Sequence, residues 1–493
     1  MSSLSRFQHQ SPEVQDRIFF TGLLLVAIPV LWLLPLGASF WRDETGTVWN
    51  IKTDLSTALA TRWMGQSPLY HAIAWAAVAL GGIREYVVRL PSVLAMAGAA
   101  FLLYRIALRF FERGTALFSV VVFVCLQDVA FAAADARTYA LSVLAVNASM
   151  LLLLRWLDQG GILGGVAYAA SAACVVYGHY LFAPLLIVEG AYALYRIKNG
   201  SPVRLWAFLA AAVLAGLLVL PLIPSLIELL GVQGQIHYGG SVSIFELLRA
   251  LTPPVVAGPV LLGLALAFAL RPYQSGSWQV RRDYFLLICA WAFFVPVLYF
   301  LMSTFLGLEV FIPRYLLCCA SGFALLATAA VSGVCSGRSR RIVAATAVTA
   351  AILAFGVWRS HGNEDWRGAL AAVRSATAGS NEPVLLASPF IEGADPEKIA
   401  DPNQRQLFAP VEVYPIGGRF IRLPMMTATV NAGFLDQVAN NDLRGQTGFL
   451  LITAQESASY QAWFMGRFAD RLLPVEELGD FGTLSVLRFR FRP

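Results

Sequence analysis

Residues 18–44 read IFFTGLLLVAIPVLWLLPLGASFWRDE. Positions 18–38 carry no charge, and a run of that length lets an α-helix cross a hydrocarbon core about 30 Å thick. Trp41-Arg42-Asp43-Glu44 then sets three charges directly against the end of the run. The run is long for the apolar core of a signal peptide, and no small-residue cleavage site follows it, so it reads as a retained first span. The rest of the chain agrees. Of 493 residues, 58% are hydrophobic and only 13% charged, against about 25% charged in soluble domains. Mean hydropathy is +0.65. A purely cytosolic enzyme and a disordered chain are both excluded.

Working outward, about eleven apolar runs qualify as spans: 18–38, 88–108, 114–134, 138–156, 162–181, 182–197, 203–223, 253–270, 283–303, 315–334 and 341–358. The stretch 68–81 is left out because it is short and would invert every later loop, so it reads as a helix in or dipping into the interface. With a cytoplasmic N-terminus, Arg109, Arg113, Arg155, Arg196, Lys198, Arg204, Arg281, Arg282, Arg338, Arg340 and Arg341 all fall inside. The outer side then holds a first loop 39–87, a turn at 135–137 and everything from 359 onward. The expected fold is therefore a polytopic α-helical membrane domain, 1–358, followed by a small extracytoplasmic α/β domain, 359–493.

Net charge is +6, yet residues 1–358 hold 23 Lys/Arg against 15 Asp/Glu, while 359–493 hold 13 against 15. The basic excess thus belongs to span topology and lipid headgroups, and the tail offers no basic face for nucleic acid. All six cysteines lie in the apolar part, and neither they nor the five histidines have metal-ligand spacing. In the tail, 365–378 has helical spacing with Trp366, Leu370 and Val373 on one face. Residues 383–387, 448–454 and 482–491 read as strands and 456–472 as a helix. Residues 392–446 carry no clear pattern.

The unusual polar residues gather on the outer side: Asp43 and Glu44, Asp135-Ala-Arg137-Thr-Tyr139, His179-Tyr180, and Pro313-Arg314-Tyr315. Ionisable groups at membrane depth cost about 2.5–3.5 kcal/mol each and so usually line a cavity. Arg137 and Arg314 suit a lipid phosphate. Asp43 or Glu44 suits the proton of an attacking hydroxyl. Plainer readings stand beside these. Asp43 and Glu44 can be a solvated juxtamembrane pair, Asp135 and Arg137 can pair with each other, Arg314 can pair with Glu309, and Arg89 can snorkel. His71 and His179 can be packed core residues, and Tyr139 and Tyr315 interface aromatics.

The order of motifs is more telling than any one of them. An acidic pair after the first span is followed by Ser67-Pro-Leu-Tyr-His71, Arg89-Leu-Pro-Ser92, Ala136-Arg-Thr-Tyr-Ala-Leu141, Gly178-His-Tyr180, Arg314-Tyr-Leu316 and Glu364-Asp-Trp-Arg-Gly-Ala369. This series resembles the C-type glycosyltransferase superfamily, in its bacterial protein-mannosyltransferase and aminoarabinose-transferase branch, over most of 18–370. The resemblance implies an inverting transferase that takes a sugar from a polyprenyl-phosphate donor at the outer face of the inner membrane. It makes Asp43 the catalytic carboxylate with Glu44 beside it, and places Asp135 in the pocket. The branch's Glu-Lys-Pro donor motif reads Gln66-Ser67-Pro68 here, which leaves the phosphate to Arg137, Arg314 and Arg89. His71, His179, Tyr139 and Tyr315 become candidate sugar and acceptor ligands, the acceptor being a lipid, glycan or protein hydroxyl. The resemblance leaves a divalent metal open, since some members of the superfamily use one and this branch generally does not, and no ligand cluster in the sequence indicates one. The rival classes are a transporter or flippase of a lipid-linked glycan and a non-catalytic assembly subunit. The charges crowd one face, and no repeated half-pattern is visible, which argues against a transporter.

Overall fold

The computed structural model describes residues 11–60, 67–224, 227, 242–269, 280–335, 337–355, 361–418, 420–428, 431–454 and 457–493. Gln66 of the first-loop motif and the end of the expected span 341–358 lie outside them. The chain forms two compact units. One comprises Met1–Leu36, Leu59–Ala77 and Arg89–Val357; the other comprises Gly37–Ala58, Val78–Val88 and Trp358–Pro493.

The first unit is helical. Among the described residues, seven helices are long and apolar enough to cross a membrane: Glu13–Gly37, Glu85–Ala107, Tyr139–Gln159, Tyr180–Lys198, Leu205–Leu222, Arg282–Leu306 and Pro313–Val334. Two bent pairs raise the number to nine if each counts as one span. These are Arg113–Cys125 with Gln127–Ala133, bent by 74°, and Ile244–Leu251 with Pro254–Leu266, bent by 63°. The expected count of about eleven is lowered at two places. Helix Ile162–Gly178 stops after 17 residues where the backbone turns extended at His179. Helix Gly337–Phe355 opens with Arg338, Arg340 and Arg341 in its first turns. The bend inside 114–134 has a local cause: Leu126 is extended at ψ 129°, which breaks the helical hydrogen-bond ladder, and Asp128 enters the first turn of the new helix.

The first span unwinds for a similar reason. Pro29 opens a π-helical turn, Pro29–Leu33, that passes into a 3₁₀ turn, Leu34–Gly37. Proline removes an N–H and releases carbonyls that must find other donors. Elsewhere, polar side chains tie helix to helix. Asn147 Nδ2 donates to the Ala99 carbonyl and its Oδ1 accepts from Ser321 Oγ, each at 2.8 Å. At one helix end, Asp16 pairs with Arg340 at 2.9 Å and Arg341 at 3.1 Å.

The second unit carries a five-stranded sheet in the order β2-β1-β3-β5-β4. Its strands are β1 Val384–Ala387, β2 Phe420–Leu423, β3 Gly448–Thr453, β4 Glu476–Glu477 and β5 Ser485–Arg490. β1 pairs parallel with β2 and β3, with Val384 opposite Phe420 and Leu450; β5 runs antiparallel to β3, with Leu451 opposite Leu487. β1 and β3 are buried along their whole lengths, as central strands covered on both faces must be. On one face Phe449 stacks on Phe489 at 4.6 Å and meets Phe464 of helix Ser457–Phe468 at 4.9 Å. Trp366, Leu370 and Val373 of helix Trp366–Thr377 are fully buried, the face the spacing predicts. Strand β2 arises inside 392–446, where no sequence pattern announced it.

Candidate functional site

In the second unit, the chain leaves the first span extended at Trp41 (φ −86°, ψ 171°) and starts helix Arg42–Ile51 at once. Glu44 reaches back so that its Oε2 accepts the Trp41 N–H at 3.2 Å. Two acidic residues in the first turn also suit the positive end of the helix dipole. Both are taken out of solvent: Asp43 is 7% exposed and Glu44 fully buried. His361 Nε2 lies 3.9 Å from Glu44 Oε1. A carboxylate and an imidazole are donor types that a divalent ion also uses.

Arg42 is paired with Glu364. Its Nε donates to Glu364 Oε1 at 2.6 Å and its backbone N–H to Glu364 Oε2 at 2.9 Å. The same Oε2 accepts from Trp366 Nε1 at 2.8 Å. Burial pushes the Glu364 carboxyl above the usual carboxylate range, while the Arg42 charge pulls it down. The turn before Glu364 needs a left-handed backbone, with Gly362 at φ 64° and Asn363 at φ 57°. A Cβ on Gly362 would come within 2.5 Å of Trp41, so only glycine permits the approach. At the far end of the helix, Lys52 pairs with Glu412 at 3.3 Å and sits over the Trp49 ring.

In the first unit, the bend at Leu126 delivers Asp135 and Arg137 to a short turn, both buried. Polar side chains fix that turn. Thr138 Oγ1 donates to the Gly178 carbonyl at 2.7 Å, and Ser92 Oγ, bonded to Tyr70 Oη, donates to the Arg137 carbonyl at 3.4 Å. Gly178 is needed there, since a Cβ would meet Ser142 Oγ at 2.7 Å. His179 follows, its Nδ1 accepting from the Leu181 N–H at 3.3 Å. Its ring lies against Tyr139 (5.4 Å), Tyr180 (5.3 Å), Phe182 (5.3 Å) and Tyr315 (5.2 Å). The Arg314 guanidinium lies over the Tyr315 ring at 5.6 Å. His179 feels the charges of both Arg137 and Arg314.

The first unit therefore brings together Arg137, Arg314, His179, Tyr139 and Tyr315, residues drawn from three separate parts of the sequence. Arg89 Nη1 donates to the carbonyls of Pro35 and Leu36 that the unwound first span releases, at 3.2 and 2.9 Å. His71, fully buried, lies on helix Pro68–Gly81 one residue after Tyr70. The second unit brings Asp43 and Glu44 together with His361, Arg42 and Glu364. Of those last three, Arg42 stood among the outer polar residues in the sequence with headgroup anchoring as its plainer reading, whereas His361 and Glu364 were not singled out as functional residues. Glu364 was in view as the head of a motif, but nothing in a motif names the partner of its carboxylate.

No family model matches the chain, and no curated protein matches it. Among solved structures it is similar to ArnT from Cupriavidus metallidurans bound to undecaprenyl phosphate, with TM-score 0.59 and 12% identity over 95% of this chain and 97% of that one. It is also similar to the apo state of that protein, with TM-score 0.54 and 13% identity over the same shares. At such identity the likeness is one of fold. The chain shares the fold of that protein, and here that fold is a helical part with apolar helices long enough to cross a membrane and a small C-terminal sheet.

Proposed function

We propose that this protein is an integral membrane glycosyltransferase that moves a sugar from a polyprenyl-phosphate donor to a hydroxyl acceptor, working at the outer face of the inner membrane. The observation that carries this reading is the gathering of Arg137 and Arg314 around His179, in a fold shared with a protein whose solved structure holds undecaprenyl phosphate. Two guanidiniums near one histidine, Arg137 buried and Arg314 half-buried, suit a phosphate diester, because each can hold two of its oxygens.

The reaction is a displacement with inversion. The acceptor oxygen forms a bond to the anomeric carbon while the bond from that carbon to the phosphate oxygen breaks, and the electron pair leaves with the polyprenyl phosphate. Arg137 and Arg314 stabilise the charge that develops on the leaving group. The acceptor proton passes to the Asp43 carboxylate as general base. Glu44 and Asp135 order the acceptor and the sugar, and His71, His179, Tyr139 and Tyr315 shape the sugar and acceptor sites. Arg89, which also fixes the end of the first span, is the third arginine for the donor phosphate. The N-terminus is cytoplasmic in this reading and the tail extracytoplasmic.

The test is transfer from labelled polyprenyl-phosphate sugars in membranes holding matched amounts of wild type or Asp43→Asn, with acceptor-containing extract present. A loss of ~10²–10⁴-fold in the variant is expected for a missing general base. Unchanged transfer removes Asp43 from that role. If neither protein turns over any carrier-linked sugar in the panel, transport of a lipid-linked glycan becomes the better reading.

A further inference from the structure

We infer that Glu364 is a positioning residue for the carboxylates of the first loop, and that the sheet-bearing tail exists in part to hold that loop in its working shape. This rests on the proposed transferase reading for its catalytic meaning, but the clamp itself is a matter of contacts within one compact unit.

The contacts fall on Gly37, Ser39, Phe40 and Arg42 as the chain leaves the first span. Arg367 Nη2 donates to the Gly37 carbonyl at 3.1 Å, and the Arg367 N–H donates to Ser39 Oγ at 2.9 Å. The Phe40 N–H donates to Tyr414 Oη at 3.0 Å. Glu364 takes both the backbone N–H and the guanidinium of Arg42. The far end of the loop is held by the same groups: Glu85 Oε1 accepts from Arg367 Nη1 at 2.9 Å and from Tyr414 Oη at 2.8 Å. Lys52 and Glu412 hold the helix between.

Glu364 is the centre of this strap. Its buried carboxylate makes three hydrogen bonds, two of them to the residue immediately before Asp43. A carboxylate bonded at once to main chain and side chain fixes both the position of Arg42 and the direction in which helix Arg42–Ile51 leaves it. The tail is itself held from behind: the Asp365 N–H donates to the Phe481 carbonyl at 3.1 Å and the Thr483 N–H to the Asn363 carbonyl at 2.8 Å. The helix thus inherits the rigidity of the sheet unit. A general base must be placed to within a fraction of an ångström, and an error of about 1 Å costs up to ~100-fold in rate.

The experiment uses the full chain with Glu364→Gln, Glu364→Asp, Arg42→Glu and the reversed pair Arg42→Glu/Glu364→Arg. Transfer kinetics and amide hydrogen exchange over 41–51 are both read on the folded fraction. Positioning predicts kcat down ~10–100-fold in Glu364→Gln with donor KM within about twofold, and exchange of the Arg42 to Thr45 amides at least tenfold faster. It also predicts milder changes in Glu364→Asp and partial recovery of both readouts in the reversed pair relative to Arg42→Glu. Unchanged kcat and exchange in Glu364→Gln overturn it, as does a variant that loses stability but keeps the kcat of its folded fraction. Should Glu364→Gln fail to fold, Glu364→Asp decides by the same two readouts. If the wild type shows no transfer at all, the transferase reading fails, while exchange over 41–51 still decides the clamp.

Discussion

The two units share the same kinds of polar contact but put them to different uses. In the helical unit the partner is most often backbone: Arg89 on the Pro35 and Leu36 carbonyls, Asn147 on Ala99, Thr138 on Gly178, Ser92 on Arg137. In the loop-and-tail unit backbone partners are also common, as for Arg367 on Gly37 and Arg422 on Asp401, and ion pairs stand beside them: Arg42 with Glu364, Lys52 with Glu412, Arg367 with Glu85, Arg488 with Glu382. The helices must be broken to open a polar site at membrane depth, and every break releases carbonyls that lipid cannot satisfy. The tail has no such surplus, so its charges are available to bind distant loops. The first unit adds the placing of breaks to its ion pairs, such as Asp16 with Arg340, whereas the second relies on pairs such as Arg42 with Glu364 to join its distant segments.

Four substitutions or conditions test that contrast. The largest effect is expected from Phe449→Ala, which empties the aromatic core of the sheet. A loss of ~3–5 kcal/mol should make the tail sensitive to protease, while the helical unit keeps its detergent-solubilised thermal transition. A common transition for both units would deny the separation. Gly362→Ala comes next, at ~1–3 kcal/mol, because a left-handed backbone and a contact with Trp41 are both imposed on a Cβ. Its signature is faster amide exchange over 361–366 and 41–45; no change there removes the close approach. In the helical unit Asn147→Leu should cost only ~0.6 kcal/mol, and at most ~1.7, since hydrogen bonds between membrane helices are worth little net. A larger loss in unfolding measurements would show that helix ties matter as much as the ion pairs.

The smallest effect concerns pH. Bonds from the Ser56 hydroxyl and from the Thr57 amide and hydroxyl hold the exposed Asp54 carboxyl down at about 2, below its ordinary 3.8. A lowered folded-state value stabilises the fold above about pH 4, and the contribution disappears as pH falls through about 2. The Thr57 amide should therefore exchange faster across that window and not between pH 5 and 8.

The sequence held a large part of this molecule openly. Apolar runs of about twenty residues placed the seven long helices, because each such helix buries or exposes its own side chains to lipid whatever its neighbours do. Short apolar runs placed β1 and β3, alternation placed β5, and helical spacing the buried face of helix Trp366–Thr377. The exceptions are physical too. Leu126 and His179 break helices by backbone angle, which hydropathy does not register, and β2 is a short strand whose residues are only half-buried until Leu423. At the site, the acidic pair and the arginines stood out as charges beside apolar runs.

What the tertiary structure decided is which of these charges keep company. Arg42 and Glu364 are separated by 322 positions and Phe40 and Tyr414 by 374. Pairings at that distance leave no period or local composition in the chain, since they arise only when two independently folded segments are brought side by side. The same is true of Arg89, whose basic charge was plain in the sequence. Its engagement by the Pro35 and Leu36 carbonyls depends on where a proline unwinds another helix. Span positions and the acidic pair are thus properties of local sequence, whereas the clamp on the first loop and the arginine–histidine cluster are properties of the fold.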